Sequence, residues 1–442
     1  MLALIAFLAP VITIDNFNDG ETIRYPVALL RGKAPKLLHV TGARARNISE
    51  HDGEFRVLVE LKPGQNQIKL ASGGATKTLR LNYAPANSDY LVRVVYLLSE
   101  EGREWYDRPK GWPKQDIAGK LDTAAKLMQT FTAESMRDGL GQRKTFNLEF
   151  DSAGKVVIHT LRYPAQEVDL WRKDMGAFWG ELYGWLEKQF PFDKNKCLVV
   201  MGFSHWDQEQ KRAYAHTALG GGGLGLFGNS AMWSWPSTLG EVDSAFRDPT
   251  PVPAEVHDDS AYRSVRWALA STTIGAMLHE MGHTFGLPHT SDPRSIMTRG
   301  FDRFNRMFTL VEPPEKRRPE ALVFKLDEVA HWGPVDAAEL FYHRWFQPDA
   351  RVWNDDRPTV NSTGSTWTIQ ATNGIGMVKW FLSAKDKSGR DIHNPLEFTF
   401  YRDQPKSLSF DAGQVASKHK AEAGVRVKVM DVEGNVTEFD RN

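Results

Sequence analysis

Hydrophobic and polar residues alternate along the first part of the chain. The segments FRVLVEL at 55–61 and TLRLNY at 78–83 place apolar side chains at every second position, and turn-forming residues separate them. A period of two is typical of strands with one buried face, and short strands between glycine and asparagine turns are typical of a small sandwich. The pattern therefore predicts an all-β, Ig-like sandwich over residues 1–85, with linker-like sequence at 84–89.

The middle of the chain mixes the strand and helix periods. YLVRVVYLL at 90–98 is typical of a buried strand, whereas residues 116–136 and 168–190 repeat apolar positions with the helical period. This alternation is typical of a sheet with helices packed against it. After residue 347 the period of two returns. The chain as a whole is therefore predicted to be multidomain α+β, with a mixed domain over 86–346 and a second all-β, Ig-like sandwich over 347–442.

The strongest chemical motif is HEMGHTFGLPH at 279–289. His279 and His283 lie one turn apart on a predicted helix, and the following glycine and proline end that helix and return His289 towards them. Three neutral imidazoles leave one position of a tetrahedral zinc ion open, which is the arrangement of catalytic zinc sites. The motif predicts one Zn²⁺ per chain, with Glu280 beside it as general base rather than ligand.

This motif, followed by Met297, resembles the metzincin signature H-E-x-x-H-x-x-G-x-x-H with its methionine turn. HTSDPRSIM is most similar to the matrixins, and the run IMTRGFDRFNRMF resembles a poorly characterised group of zinc metallopeptidases of fungi and bacteria. The resemblance implies a zinc-peptidase fold over 86–346, a peptide or protein substrate, and a hydrophobic floor formed by Met297. Several metzincins carry a tyrosine after the methionine that assists the oxyanion. Arg299 lies near that point here, either as an oxyanion donor or as a solvated or structurally paired side chain.

A glycine-rich run, LGGGGLGLFGNS at 219–230, matches the dinucleotide-binding pattern G-x-G-x-x-G. The sequence after it has no helical period, so the match does not predict a nucleotide site. In metzincins an extended substrate pairs with a strand upstream of the active-site helix, and glycines permit such close backbone approach. The resemblance therefore predicts a substrate edge at Gly223, Leu224, Gly225 and Leu226, with a flexible loop as the alternative.

Composition and charge give no support for nucleic-acid binding or for a transmembrane segment. The chain has 442 residues with 41% hydrophobic side chains, and its 55 basic residues balance its 55 acidic residues. This balance gives no electrostatic attraction to nucleic acid. The apolar start of the chain is too short to span a bilayer, so no transmembrane segment is predicted. It resembles a residual signal at 1–10, which predicts a secreted or periplasmic protein, or it is the lead-in to a first strand of a cytoplasmic one.

These observations predict a zinc-dependent endopeptidase. One alternative is a protein with a weak or inactive zinc domain whose β-domains bind glycans or proteins. Another is a zinc hydrolase of glycopeptides or other non-peptide amides, which the 14 tryptophans leave open.

Overall fold

A computed structural model describes residues 11–42, 44–105, 107–112, 116–382, 384–385, 391–392, 395–421 and 424–440. The predicted residual signal at 1–10 lies outside the described residues. Within the described part of the chain, no helix combines the length and the apolar character needed to cross a membrane.

The N-terminal region contains two four-stranded sheets. Their strand orders are β1-β3-β6-β5 and β2-β8-β7-β4. Val57 and Val59 of the first sheet share one buried apolar cluster with Ile68 and Leu79 of the second, so the two sheets pack face to face. This packing agrees with the period of two, while the Ig-like classification stays a prediction. The strands are β1 (Thr13–Ile14), β2 (Glu21–Ile23), β3 (Val27–Lys33), β4 (His39–Thr41), β5 (Arg44–His51), β6 (Glu54–Glu60), β7 (Gly64–Ser72) and β8 (Ala75–Tyr83).

The central region is built on a five-stranded sheet with the order β10-β9-β11-β15-β14. The strands are parallel except β14, which pairs antiparallel with β15 at one edge. The bounds are β9 (Leu91–Leu98), β10 (Ile158–Arg162), β11 (Asn195–Met201), β14 (Ala218–Gly221) and β15 (Leu224–Gly228). Two small hairpins are added, β12 (His205–Asp207) with β13 (Arg212–Tyr214) and β16 (Val311–Glu312) with β17 (Leu322–Val323).

The central region also contains helices, as the alternating periods predicted. They are α1 (Ile117–Leu140), α2 (Glu167–Arg172), α3 (Met175–Glu187), α4 (Val242–Phe246), α5 (Arg266–Thr284) and α6 (Pro334–Tyr342). Short 3-10 helices cover Met232–Ser234, Leu239–Glu241, Arg299–Met307, Leu326–Glu328 and Arg344–Phe346. Helix α5 lies against β14 and β15, so it places its side chains at the antiparallel edge of the sheet.

The C-terminal region forms sheets with the orders β18-β19-β24, β23-β20-β25-β26 and β21-β22. The strands are β18 (Thr359–Thr363), β19 (Thr366–Gln370), β20 (Ile375–Leu382), β21 (Ala384–Lys385), β22 (Asp391–Ile392), β23 (Pro395–Phe400), β24 (Ser407–Asp411), β25 (Val425–Asp431) and β26 (Val436–Asp440). The prediction of an all-β region is wrong in one element, the helix α7 (Ala412–Lys418). Asp411 caps this helix by accepting hydrogen bonds from the backbone N–H groups of Gly413 and Gln414.

One apolar cluster contains residues of all three predicted regions. Leu58 of β6, Phe131 of α1 and Leu278 of α5 belong to the same buried cluster as Met377 of β20 and Met430 of β25. The boundaries at 85/86 and 346/347 stay predictions. The flanking sheets also have apolar clusters of their own, and the shared cluster joins them to the central region.

Candidate metal centre

Helix α5 carries the first two histidines of the motif and ends directly after them. Its residues are almost all buried, which fixes the helix on the sheet. Gly286 follows with a φ of 80°, and the N–H of Leu287 donates to the carbonyl of Gly282 at 3.1 Å. A left-handed residue at this point is readily adopted only by glycine. The chain therefore turns back after Gly286, as the sequence predicted, and brings His289 to the helix.

The structure brings the three predicted ligands together. The Nε2 atoms of His279 and His283 are 3.1 Å apart, and each lies 3.2 Å from Nε2 of His289. Zinc–nitrogen bonds of about 2.0–2.1 Å in a tetrahedral site separate the nitrogens by about 3.3 Å. Among the described residues this is the one group of three or more His, Cys, Asp or Glu side chains close enough to hold a metal ion.

The backbone decides which nitrogen of each imidazole faces its neighbours. Nδ1 of His279 lies 2.7 Å from the carbonyl oxygen of Ile296, and Nδ1 of His283 lies 2.8 Å from that of Leu287. Because a carbonyl only accepts, both Nδ1 atoms carry the proton and both Nε2 atoms carry a lone pair. These lone pairs converge at a spacing that a cation between them would stabilise, so the donor set fits zinc.

Burial favours the neutral form of His279 and His283. It lowers the pKa of His279 to about 3, with a further contribution from the neighbouring His283, and it also lowers the pKa of His283. Metal ligation requires neutral imidazole. The fold therefore disfavours the protonated forms that would compete with a metal.

Glu280 occupies the position that the motif assigns to a general base. Its side chain is buried, and burial raises the pKa of its carboxyl to about 7. A buried carboxyl with a raised pKa is typical of functional sites, whereas solvated surface acids keep their ordinary pKa. The charge of a bound cation would act on this pKa in the opposite direction.

Met297 lies directly beneath the motif. It is fully buried, and a Cβ added to Gly282 would come within 2.3 Å of its Sδ atom. The backbone N–H of Met297 donates to Oγ of Ser295 at 3.0 Å, which in turn donates to Asp336 at 3.2 Å. The methionine turn is thus held under the helix by a contact from α6.

Sequence reasoning missed the residues that hold this turn. His331 pairs with Asp292 at 2.7 Å and its carbonyl accepts from the N–H of Ile296 at 2.8 Å. The Ile296 carbonyl is the partner of His279, so this contact supports the orientation of a predicted ligand. The SDP sequence around Asp292 is a turn signal that could have been noted. No local pattern points to Asp336, which lies 41 residues from Ser295.

The predicted substrate edge is wrong in its position. Leu224, Gly225 and Leu226 belong to β15, which pairs with β11 on one side and β14 on the other. Gly223 lies in the turn between β14 and β15, and its carbonyl accepts from the N–H of Cys197. The backbone groups of these residues are used within the sheet, and the free edge belongs to β14 instead.

The glycines of this run serve close packing. A Cβ at Gly220 would lie 2.2 Å from the carbonyl oxygen of Glu280, while one at its cross-strand partner Gly225 would lie 3.7 Å from Glu280. Glycine at position 220 lets β14 pass against the backbone of α5. The last five residues of the GLGLFG pattern form the strand β15, so the pattern does not build the loop before a helix that a nucleotide site requires.

Arg299 is engaged by its neighbours. Its guanidinium donates to Asp302 at 3.0 and 3.1 Å and lies over the ring of Phe301 at 4.7 Å. Phe301 in turn contacts His279, with ring centroids 5.2 Å apart. This arrangement matches the structurally paired alternative, and the role of Arg299 as oxyanion donor stays a prediction.

Comparison with known proteins places the chain among peptidases. A protein named "Putative zinc metalloproteinase" from Schizosaccharomyces pombe is 27% identical over 430 residues, and the match covers 87% of this chain and 68% of that protein. One of the same name from Saccharomyces cerevisiae is 27% identical over 390 residues, covering 76% and 55%. This chain therefore spans about half to two thirds of the length of these relatives.

Solved structures align more weakly. Wild-type OgpA from Akkermansia muciniphila has a TM-score of 0.49 and 14% identity, and the alignment covers 80% of this chain and 94% of that one. Catalytically inactive OgpA in complex with an O-glycopeptide substrate aligns with a TM-score of 0.45 and 13% identity, covering 80% and 93%. The family model described as "Putative peptidase family" matches residues 11–379. Since this match includes well over half of its length, the chain belongs to that peptidase family.

Proposed function

We propose that the protein is a zinc-dependent endopeptidase. One observation carries the proposal: the Nε2 atoms of His279 and His283 on α5 and of His289 after it converge at 3.1–3.2 Å, and the buried Glu280 is adjacent to His279 on the same helix. His279, His283 and His289 would hold the ion. This donor set leaves a coordination position open, as catalytic zinc sites do. Membership of a peptidase family supports hydrolysis of a peptide bond over other uses of the metal.

The chain's own residues supply the proton chemistry. When bound, zinc acts as a Lewis acid that activates water and polarises a carbonyl group. Glu280 accepts the proton of the attacking water and then delivers it to the leaving amine. The carbonyls of Ile296 and Leu287 keep the ligand imidazoles in the required tautomer throughout.

The substrate would bind as an extended strand along β14. One side of β14 pairs with β15, and the other side faces away from the sheet. An added peptide strand gains backbone hydrogen bonds from such an edge. Because Gly220 brings β14 against the backbone of Glu280, the bound peptide would pass beside the proposed base. Export from the cytoplasm remains a prediction from the apolar N-terminus alone.

The decisive experiment replaces Glu280 with Gln in the full chain. Zinc content, measured by elemental analysis, should stay at one ion per chain, because Glu280 is not a ligand. Hydrolysis of a proteome-derived peptide pool, followed by mass spectrometry, should fall by roughly 10² to 10⁴, the usual contribution of a general base. Replacing any one of the three histidines with Ala should remove the zinc.

The matched control is Glu187→Gln, an exposed carboxylate on α3, which should leave hydrolysis unchanged. Loss of zinc from Glu280→Gln would make this residue a ligand or a support, and unchanged hydrolysis would place the base elsewhere. The same digest separates the alternatives. A glycopeptide hydrolase would cleave only glycosylated peptides, and a binding protein with an inactive zinc domain would cleave none.

A further inference from the structure

A cavity of about 430 Å³ lies between the N-terminal sheets and the segment that follows the methionine turn. None of the metal ligands lines it. The apolar part of its buried wall consists of Phe55, Leu310 and Phe324, and the polar part of Asn16, Arg31 and Arg56. The exposed Val323 and Leu326 lie at its rim. We call it the junction cavity.

Arg56 lines the junction cavity and is 4% exposed. Its guanidinium donates to the carbonyl of Arg306 and lies over the ring of Phe324 at 5.6 Å. Within the described residues, no carboxylate forms an ion pair with it. A guanidinium has five N–H donors, so most of its capacity remains for a group inside the cavity.

The neighbouring arginines differ in this respect. Arg31, the cross-strand partner of Arg56, binds Asp138 at 2.6 Å and Glu134 at 3.3 Å. Arg306, whose guanidinium also lies over Phe324, binds Glu312 at 2.8 Å. Carboxylates thus neutralise the charges of both neighbouring arginines, whereas among the described residues none is paired with Arg56.

The burial of Arg56 without a carboxylate partner affects its pKa. Burial lowers the pKa of Arg56 to about 9, and the positive charge of Arg31 adds to the effect. A buried charge without a partner is strongly unfavourable, and an anion placed beside it would relieve that cost.

The rim of the cavity restricts which anion fits. Asp15, Asp52 and Glu54 line it and are exposed. Asp52 lies 3.4 Å from His51, and Glu54 lies 3.9 Å from Lys33. Arg137 is engaged by Asp138 and by the carbonyl of Asp15, and Lys325 is exposed to solvent. Acidic groups at the entrance repel a multiply charged anion more strongly than a singly charged one.

We propose that the junction cavity is a binding site for a small organic monocarboxylate with an apolar body. The carboxylate binds the guanidinium of Arg56, a pairing in which two parallel N–H···O bonds are available. The apolar body packs against Phe55, Leu310 and Phe324. The volume lies within the range of small-molecule sites. The site is separate from the zinc centre, so its existence does not depend on the proposed peptidase activity.

Calorimetric titration and thermal unfolding of the full chain test the proposal. The probes are acetate, hexanoate, neutral hexanamide and inorganic phosphate. Hexanoate should bind and raise the unfolding temperature further as its concentration increases, acetate should bind more weakly, and hexanamide should not bind. Arg56→Gln should lose at least tenfold in hexanoate affinity. Arg80→Gln, which removes an exposed arginine on β8 that pairs with Asp19, should keep full affinity.

A second pair of variants keeps the test valid if Arg56→Gln does not fold. Leu326 lies at the rim and is 57% exposed, so Leu326→Glu adds a repelling charge with little effect on the fold, and Leu326→Gln is its neutral match. Hexanoate should bind more weakly to Leu326→Glu than to Leu326→Gln. Four results would each overturn the proposal. Hexanoate could bind equally to wild type and the folded Arg56→Gln variant, or equally to the two Leu326 variants. Phosphate could bind more tightly than hexanoate, or hexanoate could fail to bind at all.

Discussion

At the scale of single residues, the backbone sets the geometry of the candidate metal centre. The spacing of His279, His283 and His289 determines that they meet, but carbonyl groups determine which nitrogen faces inward. The partner of His279 is the carbonyl of Ile296, which is 17 residues away and close only because Met297 lies under the helix. A substitution that moves Met297 under α5 should therefore also shift the zinc ligands.

Gly282→Ala should disturb the centre from below. The added Cβ would lie 2.3 Å from Sδ of the buried Met297 and 3.1 Å from the ring of Trp332. We expect a loss of stability of about 1–3 kcal/mol from overpacking and weaker zinc binding, because both neighbouring ligands must shift. Thermal unfolding and competition with a chelator measure these effects.

Gly184→Ala is the matched control for this substitution. Gly184 is an exposed residue inside α3 with no atom within 4 Å of an added Cβ. Alanine there should stabilise the protein by about 0.5–1 kcal/mol. If Gly282→Ala behaved like Gly184→Ala, the contact between the methionine and the helix would have no role in holding the ligands.

At the scale of secondary-structure elements, the antiparallel edge of the sheet and helix α5 form one unit. Gly220 and Gly225 face each other across β14 and β15, and both point towards Glu280. The two glycines differ in the space available for an added Cβ atom. We therefore expect a substitution by alanine to be tolerated at Gly225 but not at Gly220.

Gly220→Ala should destabilise the protein and reduce hydrolysis, whereas Gly225→Ala should be close to wild type. The Cβ at 220 would lie 2.2 Å from the backbone oxygen of Glu280, which cannot move without moving α5. The Cβ at 225 would make an ordinary contact at 3.7 Å. Unfolding temperatures and hydrolysis rates of the two variants measure this, and equal behaviour would contradict the packing of β14 on the helix.

A buried ion cluster joins α6 to the C-terminal sheet. Glu339 is 2% exposed and pairs with Lys379 of β20 and Lys428 of β25. Although burial opposes ionisation, the two lysines outweigh it and lower the pKa of Glu339 from 4.5 to about 2. Because the folded-state pKa lies below the unfolded value, the stabilisation exists above about pH 4.5 and is lost as the pH falls towards 2.

Glu339→Gln should therefore destabilise the protein at pH 7, by about 3 kcal/mol, because two buried ammonium groups lose the carboxylate that they share, although Lys428 keeps Glu438 at 4.0 Å. The difference in unfolding temperature from wild type should shrink as the pH falls from 4.5 towards 2. The exposed variant Glu187→Gln should show no comparable difference at any pH. A constant difference across this range would mean that Glu339 acts through packing rather than charge.

At the scale of the whole molecule, the three predicted regions depend on one another. Glu134 of α1 is fully buried and bonds to Asn16 and Arg31 of the N-terminal region, at 2.7 and 3.3 Å, as well as to Arg143. The apolar core contains residues of all three regions. Removing the flanking regions would expose an apolar surface and leave the Glu134 carboxylate without its three N-terminal partners, Asn16, Tyr25 and Arg31.

A fragment of residues 90–346 should therefore be insoluble or molten, although the linker-like sequences favour its separation. Near-ultraviolet circular dichroism and binding of a hydrophobic dye distinguish a packed from a molten fragment. The full chain is the control. A monomeric fragment that binds zinc and unfolds cooperatively would show that residues 86–346 form an autonomous domain after all.

The sequence by itself determined the identities of the three histidines and Glu280, the methionine after them, and the strand and helix periods of most regions. These features depend on spacings within one or two elements, which local geometry converts directly into position. The tertiary structure decided which strand of the glycine-rich segment is the free edge and which residues hold the methionine turn. It also decided that Arg56 has no carboxylate partner among the residues that the structure describes. Each of these depends on contacts between residues far apart in the chain, such as Ser295 with Asp336 or Arg56 with Arg306, and only the packing of whole elements brings such residues together.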